Sequence, residues 1–194
     1  MSAKLSLLLL LGAAFSASAL EITTEHKSKA ELATVKLIES LRQSHDLKKW
    51  EFTDKVHIDE TVIPHSHPLL KLNTRHTSRK DTDKLLATYL HEQIHWHLDY
   101  NKSKTESAVN ELKTFFKNVP VGYPEGGDDE NSTYEHLLVC YLELQAIAEL
   151  LSKQRHHKVL EYWKNDHYTW IYKQVEVHHE VIAKVLQKHQ LEIR

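Results

Sequence analysis

The sequence predicts an α+β domain that is mostly helical, with a short β-sheet ahead of one long, motif-bearing helix. Three observations predict it. Helix-start signals and helix-period apolar faces recur along the chain. One segment, residues 50–74, is instead rich in β-branched and apolar residues punctuated by Pro64 and Pro68. Glycine is confined to Gly12 and to the stretch between Gly122 and Gly127, so the remainder has few places to turn tightly.

The chain has 194 residues, 27% charged and 41% hydrophobic, enough for one globular domain. Residues 1–19 stand apart. A lysine, an apolar run from Leu5 to Phe15 and then Ala17-Ser18-Ala19 read as a secretory signal peptide cleaved after Ala19. The apolar run is shorter than the ~20 residues that span a bilayer. This predicts a secreted or periplasmic domain over residues 20–194, with no stable membrane insertion of the mature chain. Cys140 is the one cysteine, so no internal disulfide forms. A net charge of −2 gives no electrostatic case for a nucleic-acid partner.

Three S-x-x-E capping boxes mark expected helix starts: Ser28/Glu31, Ser103/Glu106 and Ser132/Glu135. After the first, Leu32, Val35, Leu37, Ile38 and Leu41 form a helical face. Two or three short strands are expected over residues 50–74, with the prolines confining part of them to a sheet edge. Helices resume near Asp81 and continue to the C-terminus. VPVGYPEGGDDEN, residues 119–131, is the one long loop. Its acidic end lacks the alternating ligands of a calcium loop and reads as solvated surface.

The chemistry lies in TDKLLATYLHEQIHWHLDY, residues 82–100. HEQIH is H-E-x-x-H. Residues four apart on a helix are about 40° apart around the axis and about 6 Å along it, so His91 and His95 aim two imidazoles at one point. Glu92, about 100° further round, is placed to act on water there as a general base. Thr88, Leu90, Ile94 and Trp96 make the surroundings uncharged, where two histidines and a glutamate are costly unless used or solvated.

Thr88-Tyr89-Leu90-His91-Glu92-Gln93-Ile94-His95-Trp96 resembles the zinc helix of the zincin metallopeptidases. The resemblance implies one catalytic zinc ion, hydrolysis of a peptide or protein substrate, and a short mixed β-sheet before the zinc helix whose edge strand holds the substrate. HPLLKLNTR is the candidate edge strand. His97, where zincins carry an apolar residue, is expected at the surface. Leu98 and Asn101 replace the glycine and histidine of the metzincin extension, so the gluzincins, with a glutamate ligand on a later helix, are the subgroup resembled.

The helix YEHLLVCYLELQAIAELL supplies that glutamate. Val139, Ala146, Leu150, Glu143, His136, Ile147 and Cys140 share an arc with Glu143 and His136 at its middle, and Glu149 falls elsewhere. Glu143-Leu144-Gln145-Ala146 is similar to the E-x-x-A of some gluzincins. Glu143 is therefore expected as the third ligand. His136 is expected as a catalytic residue that binds substrate or stabilises an oxyanion, and is the alternative third ligand. Asp99 is a candidate to orient an imidazole, and His167 or Tyr168 to donate to a tetrahedral intermediate.

Two other function classes remain. One is a non-enzymatic secreted histidine-rich metal-binding protein, and the other a helical interaction domain with an accidental motif. Glu92 discriminates, because a storage site has no use for a carboxylate placed to act on water.

Overall fold

A computed structural model describes residues 20–194; the expected signal peptide lies outside them. The chain opens on β1 (Glu21–Thr24), then α1 (Lys29–Ser44), a 3-10 turn at Lys48–Trp50, β2 (Lys55–Ile58) and β3 (Leu70–Leu72). A second 3-10 turn at Arg79–Asp81 leads into α2 (Thr82–Tyr100). Then follow α3 (Lys102–Phe115), α4 (Glu130–Leu150), α5 (Lys153–Trp163), α6 (Thr169–Val177) and α7 (His179–Lys188). The α+β class is as the sequence predicts, with the sheet ahead of the motif helix. Among the described residues no helix is long and apolar enough to cross a membrane.

The sheet has the order β1-β2-β3, and both pairings are parallel rather than mixed. Parallel strands need a crossover, and α1 supplies it between β1 and β2. β1 went unread in the sequence, although Ile22-Thr23-Thr24 is a β-branched run. β3 is an edge strand, as HPLLKLNTR predicts, but its outer side is occupied. The Lys71 N–H donates to His65 O at 2.8 Å and the His65 N–H donates to Lys71 O at 3.1 Å.

Ser28/Glu31 is a full capping box at the start of α1. The other two are not caps. α3 starts at Lys102, with one residue between it and the end of α2, and that residue, Asn101 at the cap position, makes no side-chain cap bond. At α4 the carboxylate of Asp129 accepts the Ser132 amide at 2.8 Å, so the helix begins three residues early and Ser132 lies inside it. Asp caps as well as Ser does, and here it comes first in the chain. Glu135 is thereby freed from a capping role.

The loop before α4 is not simply solvated. Gly126 and Gly127 are buried, and the Thr133 hydroxyl donates to Pro120 O at 2.8 Å and accepts the Gly127 amide at 2.9 Å. A Cβ on Gly126 would come within 2.1 Å of Pro120 O, so only glycine fits that approach. The Thr169 amide donates to Pro124 O at 2.9 Å, tying the loop to the start of α6.

α4 is buried on nearly all sides, as a helix apolar all round must be. It packs against α2, α3, α5, α6 and α7. α2 lies between this bundle and the sheet and contacts β3, α1 and α4. The helix with the H-E-x-x-H motif and the helix with His136 and Glu143 are thus direct neighbours at the centre of the fold.

One polar group anchors the first crossover. Glu31 is fully buried, and its carboxylate accepts the amides of His26 at 2.8 Å, Ser28 at 3.3 Å and Glu60 at 3.3 Å, with His26 Nδ1 at 3.1 Å. Burial works against the charge, but the bonds from the His26 ring and the three amides outweigh it and hold the carboxyl below its ordinary 4.5. A carboxylate with a lowered folded pKa stabilises the protein above its unfolded pKa, and that contribution is lost as pH falls through the folded value. Glu31→Gln is therefore expected to lower the urea midpoint at pH 7 and to flatten the loss of stability below the ordinary 4.5. Urea titrations of both proteins across acid pH check this; parallel curves would refute it.

Candidate metal centre

α2 presents His91 and His95 one turn apart, and α4 brings His136 against them. The three ring centroids are 5.1 Å (His91–His95), 4.9 Å (His95–His136) and 5.5 Å (His91–His136) apart. One ring nitrogen from each lies within 4.8 Å of the other two. His91 and His136 are buried and His95 is nearly so.

Each Nδ1 has an acceptor. His91 Nδ1 meets Glu143 Oε2 at 2.9 Å, His95 Nδ1 meets Glu135 Oε1 at 3.3 Å, and His136 Nδ1 donates to the Ser132 carbonyl at 2.7 Å. A carbonyl accepts only, so His136 carries its hydrogen on Nδ1; in their ionised forms Glu143 and Glu135 favour the same tautomer in His91 and His95. That assignment leaves three Nε2 lone pairs, none with a hydrogen-bond partner among the described residues.

Burial keeps the His91 and His136 rings neutral. Desolvation pushes His136 down to about 3, helped by His95 and opposed by its bond to the Ser132 carbonyl. His91 is also held well below the ordinary imidazole value, by burial first and then by His95, His136 and His167. The contact between His91 and Glu143 is accordingly a hydrogen bond donated by a neutral ring rather than an ion pair.

Glu92 is buried, and no described group hydrogen-bonds its carboxylate. Burial pushes it up to about 7, with His95 opposing. Glu143 sits deeper. Burial raises it to about 8, against the pull of the Tyr172 hydroxyl, which donates to Oε2 at 2.7 Å, and of the Trp163 indole, with Glu92 adding to the rise. Its Oε1 has no hydrogen-bond partner.

Glu143, expected as the third ligand, therefore engages the Nδ1 side of His91 and stands outside the trio of imidazoles. It does form a second group with His91 and Cys140 whose ligand atoms lie within 4.8 Å. Asp99 does not orient a motif histidine; it lies 3.6 Å from His67 Nε2, and Glu135 takes the place beside His95. His97 is not a surface residue. It is half-buried, its ring lies 4.8 Å from that of Phe52, and its Nε2 bonds to Leu191 O at 2.9 Å. Glu149 is on the surface, paired with Lys49. The pairs His156/His157 and His178/His179 belong to none of the metal-competent groups among the described residues.

Of the two residues before α6, Tyr168 packs against the trio and His167 packs against Tyr168. Tyr168 has a left-handed backbone (φ 52°) at the helix start, and its ring lies 4.2 Å from His136 and 6.0 Å from His91, parallel to the latter. His167 Nδ1 bonds to Asp166 at 2.7 Å, and Asp166 is held in turn by Arg75.

Sequence reasoning missed Glu135 as a partner of His95, because it read as a capping residue. It also missed Gln93. This buried side chain accepts the amides of Phe52 at 2.7 Å and Thr53 at 2.9 Å and donates to Thr53 O at 3.0 Å. It ties the approach to β2 onto the motif helix, between the two histidines. An uncharged glutamine on the buried side of a long helix was the available signal.

No known family model, curated protein or solved structure matches the chain, so the resemblance to zincins rests on the motif itself.

Gln93→Ala strands two amides and a carbonyl near the core, at about 1–3 kcal/mol for each group left unsatisfied. The urea midpoint is expected to drop by an amount equivalent to at least that, with the m-value unchanged. A shift within error would mean the segment around Phe52 re-solvates freely.

Proposed function

We propose that the protein is a zinc-dependent peptidase in which His91, His95 and His136 hold the metal and Glu92 is the general base. The observation that carries the reading is the set of three clustered imidazoles, two buried and one nearly so, whose Nδ1 atoms all have acceptors and whose Nε2 lone pairs have no donor among the described residues. Three neutral nitrogen donors with an open fourth position are the donor set of a catalytic rather than a closed structural zinc site. Zinc bound there supplies Lewis acidity that polarises a scissile carbonyl and lowers the pKa of water at the site.

The remaining work falls to the chain. Glu92, next to His91 on α2 and without a hydrogen-bond partner among the described residues, takes a proton from the attacking water and returns it to the leaving amine. Glu143 and Glu135 fix the ring orientations of His91 and His95 through Nδ1, the supporting role that carboxylates commonly play behind metal-bound histidines. In this reading His136 replaces Glu143 as third ligand, and Glu143 becomes a positioning residue. Tyr168, whose hydroxyl makes no hydrogen bond among the described residues, stands beside His136 as the donor to a developing oxyanion. Secretion through residues 1–19 remains part of the proposal.

Two measurements test the assignment. Metal analysis of the purified protein is expected to find about one zinc per chain. His136→Ala and the double variant His91→Ala/His95→Ala are expected to lose it. Glu143→Gln is expected to keep the site with affinity weakened about 10–100-fold. Retention in His136→Ala together with loss in Glu143→Gln would return Glu143 to the ligand set.

Glu92→Gln keeps the size of the side chain but removes the proton acceptor, so hydrolysis is expected to fall at least about 10²–10⁴-fold with zinc content unchanged. A mixed peptide library digested by both proteins reads this out. Equal activity in the two, or none in either, would favour a metal-binding protein without catalysis.

A further inference from the structure

A substrate added as a strand to β3 would need outward-facing amide and carbonyl groups on that strand. Within Leu70–Leu72 the alternation of a parallel pair leaves Lys71 facing outward, and both of its backbone groups are already bonded to His65. The His65 segment is fixed beyond this, since the Trp96 indole donates to Ser66 O at 2.9 Å and His67 stacks on Trp96 with centroids 4.1 Å apart. The edge next to the motif helix is filled by the chain itself.

A different surface is open beside His95. A groove of about 550 Å³ starts at His95 and Glu135 and runs between α3 and the first turns of α4. Leu98 and Val109 line it, and Asn110 and Asn131 stand on opposite walls. Its α3 wall extends from Lys102 to Lys113, about 16 Å at 1.5 Å per residue. An extended chain rises about 3.3 Å per residue, so roughly five residues fit along it.

We propose that this groove is the polypeptide-binding cleft: the substrate lies extended between α3 and α4, reaches the metal-binding histidines past His95, and does not pair with β3. The inference rests on the peptidase reading and specifies where its substrate lies. The lining suits an extended chain of mixed sequence. Leu98 and Val109 form an apolar floor, the Asn110 amide offers both a donor and an acceptor to a substrate backbone, and the Asn131 amide, whose oxygen accepts from Lys113 Nζ at 2.6 Å, offers its N–H donors. Asp99, Glu106 and Glu135 are interspersed with Lys102 and Lys113, so no single charge is selected. The volume falls in the range of clefts that bury most of a bound ligand.

The test is photo-crosslinking in the full-length mature chain carrying Glu92→Gln and supplied with zinc. A benzophenone amino acid replaces Asn110, or Glu106 as a second groove position, or Ile63 beside the β3 edge; all three are exposed, so folding should tolerate the probe. Biotinylated mixed-sequence peptides are the ligand. Labelling at the groove positions well above that at Ile63 is expected. Labelling mainly at Ile63, or at none of the three, overturns the proposal. Wild-type digestion of the same peptides separates the two ideas. Groove labelling without cleavage would refute the peptidase reading and leave a peptide-binding cleft. Cleavage without groove labelling would refute the cleft alone.

Discussion

Three imidazoles packed side by side in a core are tolerable only if each has one nitrogen satisfied and none is charged. α4 meets that constraint almost alone. It supplies Glu143 to His91 and Glu135 to His95, and its own first turn supplies the Ser132 carbonyl to His136. Everything around the site serves to keep α4 against α2 at that register. α6 adds Tyr172 behind Glu143, and the loop before α4 is folded onto its first turn through Thr133. A buried polar group without a partner costs ~1–3 kcal/mol, so a slipped register would leave several at once.

The sheet does for α2 what the helices do for α4. Gln93 faces away from His91 and His95 and clasps the backbone leading into β2. Any twist of α2 that moved His91 or His95 would therefore break bonds on its opposite side. At the far end His97 holds the chain terminus near Leu191, a third tie on the same helix. A site on two rigid helices, each fixed on several faces, is held more closely than one built on loops.

The parts legible in the sequence were those set by local rules. H-E-x-x-H fixes the aim of His91 and His95 through helix geometry alone, and the α+β layout followed from a switch in periodicity. The Ser28/Glu31 box was equally local. What failed depended on competition or on distant partners. Asp129 took the cap that Ser132 was expected to provide, and that three-residue shift gave Glu135 its place beside His95. A helical wheel placed His136 and Glu143 on one arc but could not show which meets the Nδ1 side of His91. β1 is four residues long and exists through its pairing with β2, across the whole of α1. The strand edge closed by His65 is likewise a contact that no periodicity encodes.

The choice between His136 and Glu143 turns on the shape of the imidazole. Nδ1 and Nε2 lie on different edges of the ring, with lone pairs that diverge. Glu143 Oε2 is already on the Nδ1 edge of His91, where it also accepts the Tyr172 hydroxyl. A metal shared by His91, Cys140 and Glu143 would sit on that edge, leaving His95 and Glu92 without a task and the H-E-x-x-H spacing without a cause. A metal on the Nε2 edges uses His95 and His136 and leaves Glu143 to hold the His91 N–H. The two arrangements also differ in charge. Three neutral imidazoles would leave the full positive charge of an ion in the site, whereas a carboxylate ligand would cancel part of it. That charge would act on Glu92 as well: burial drives its carboxyl up, and a cation nearby would favour the ionised form a general base must have.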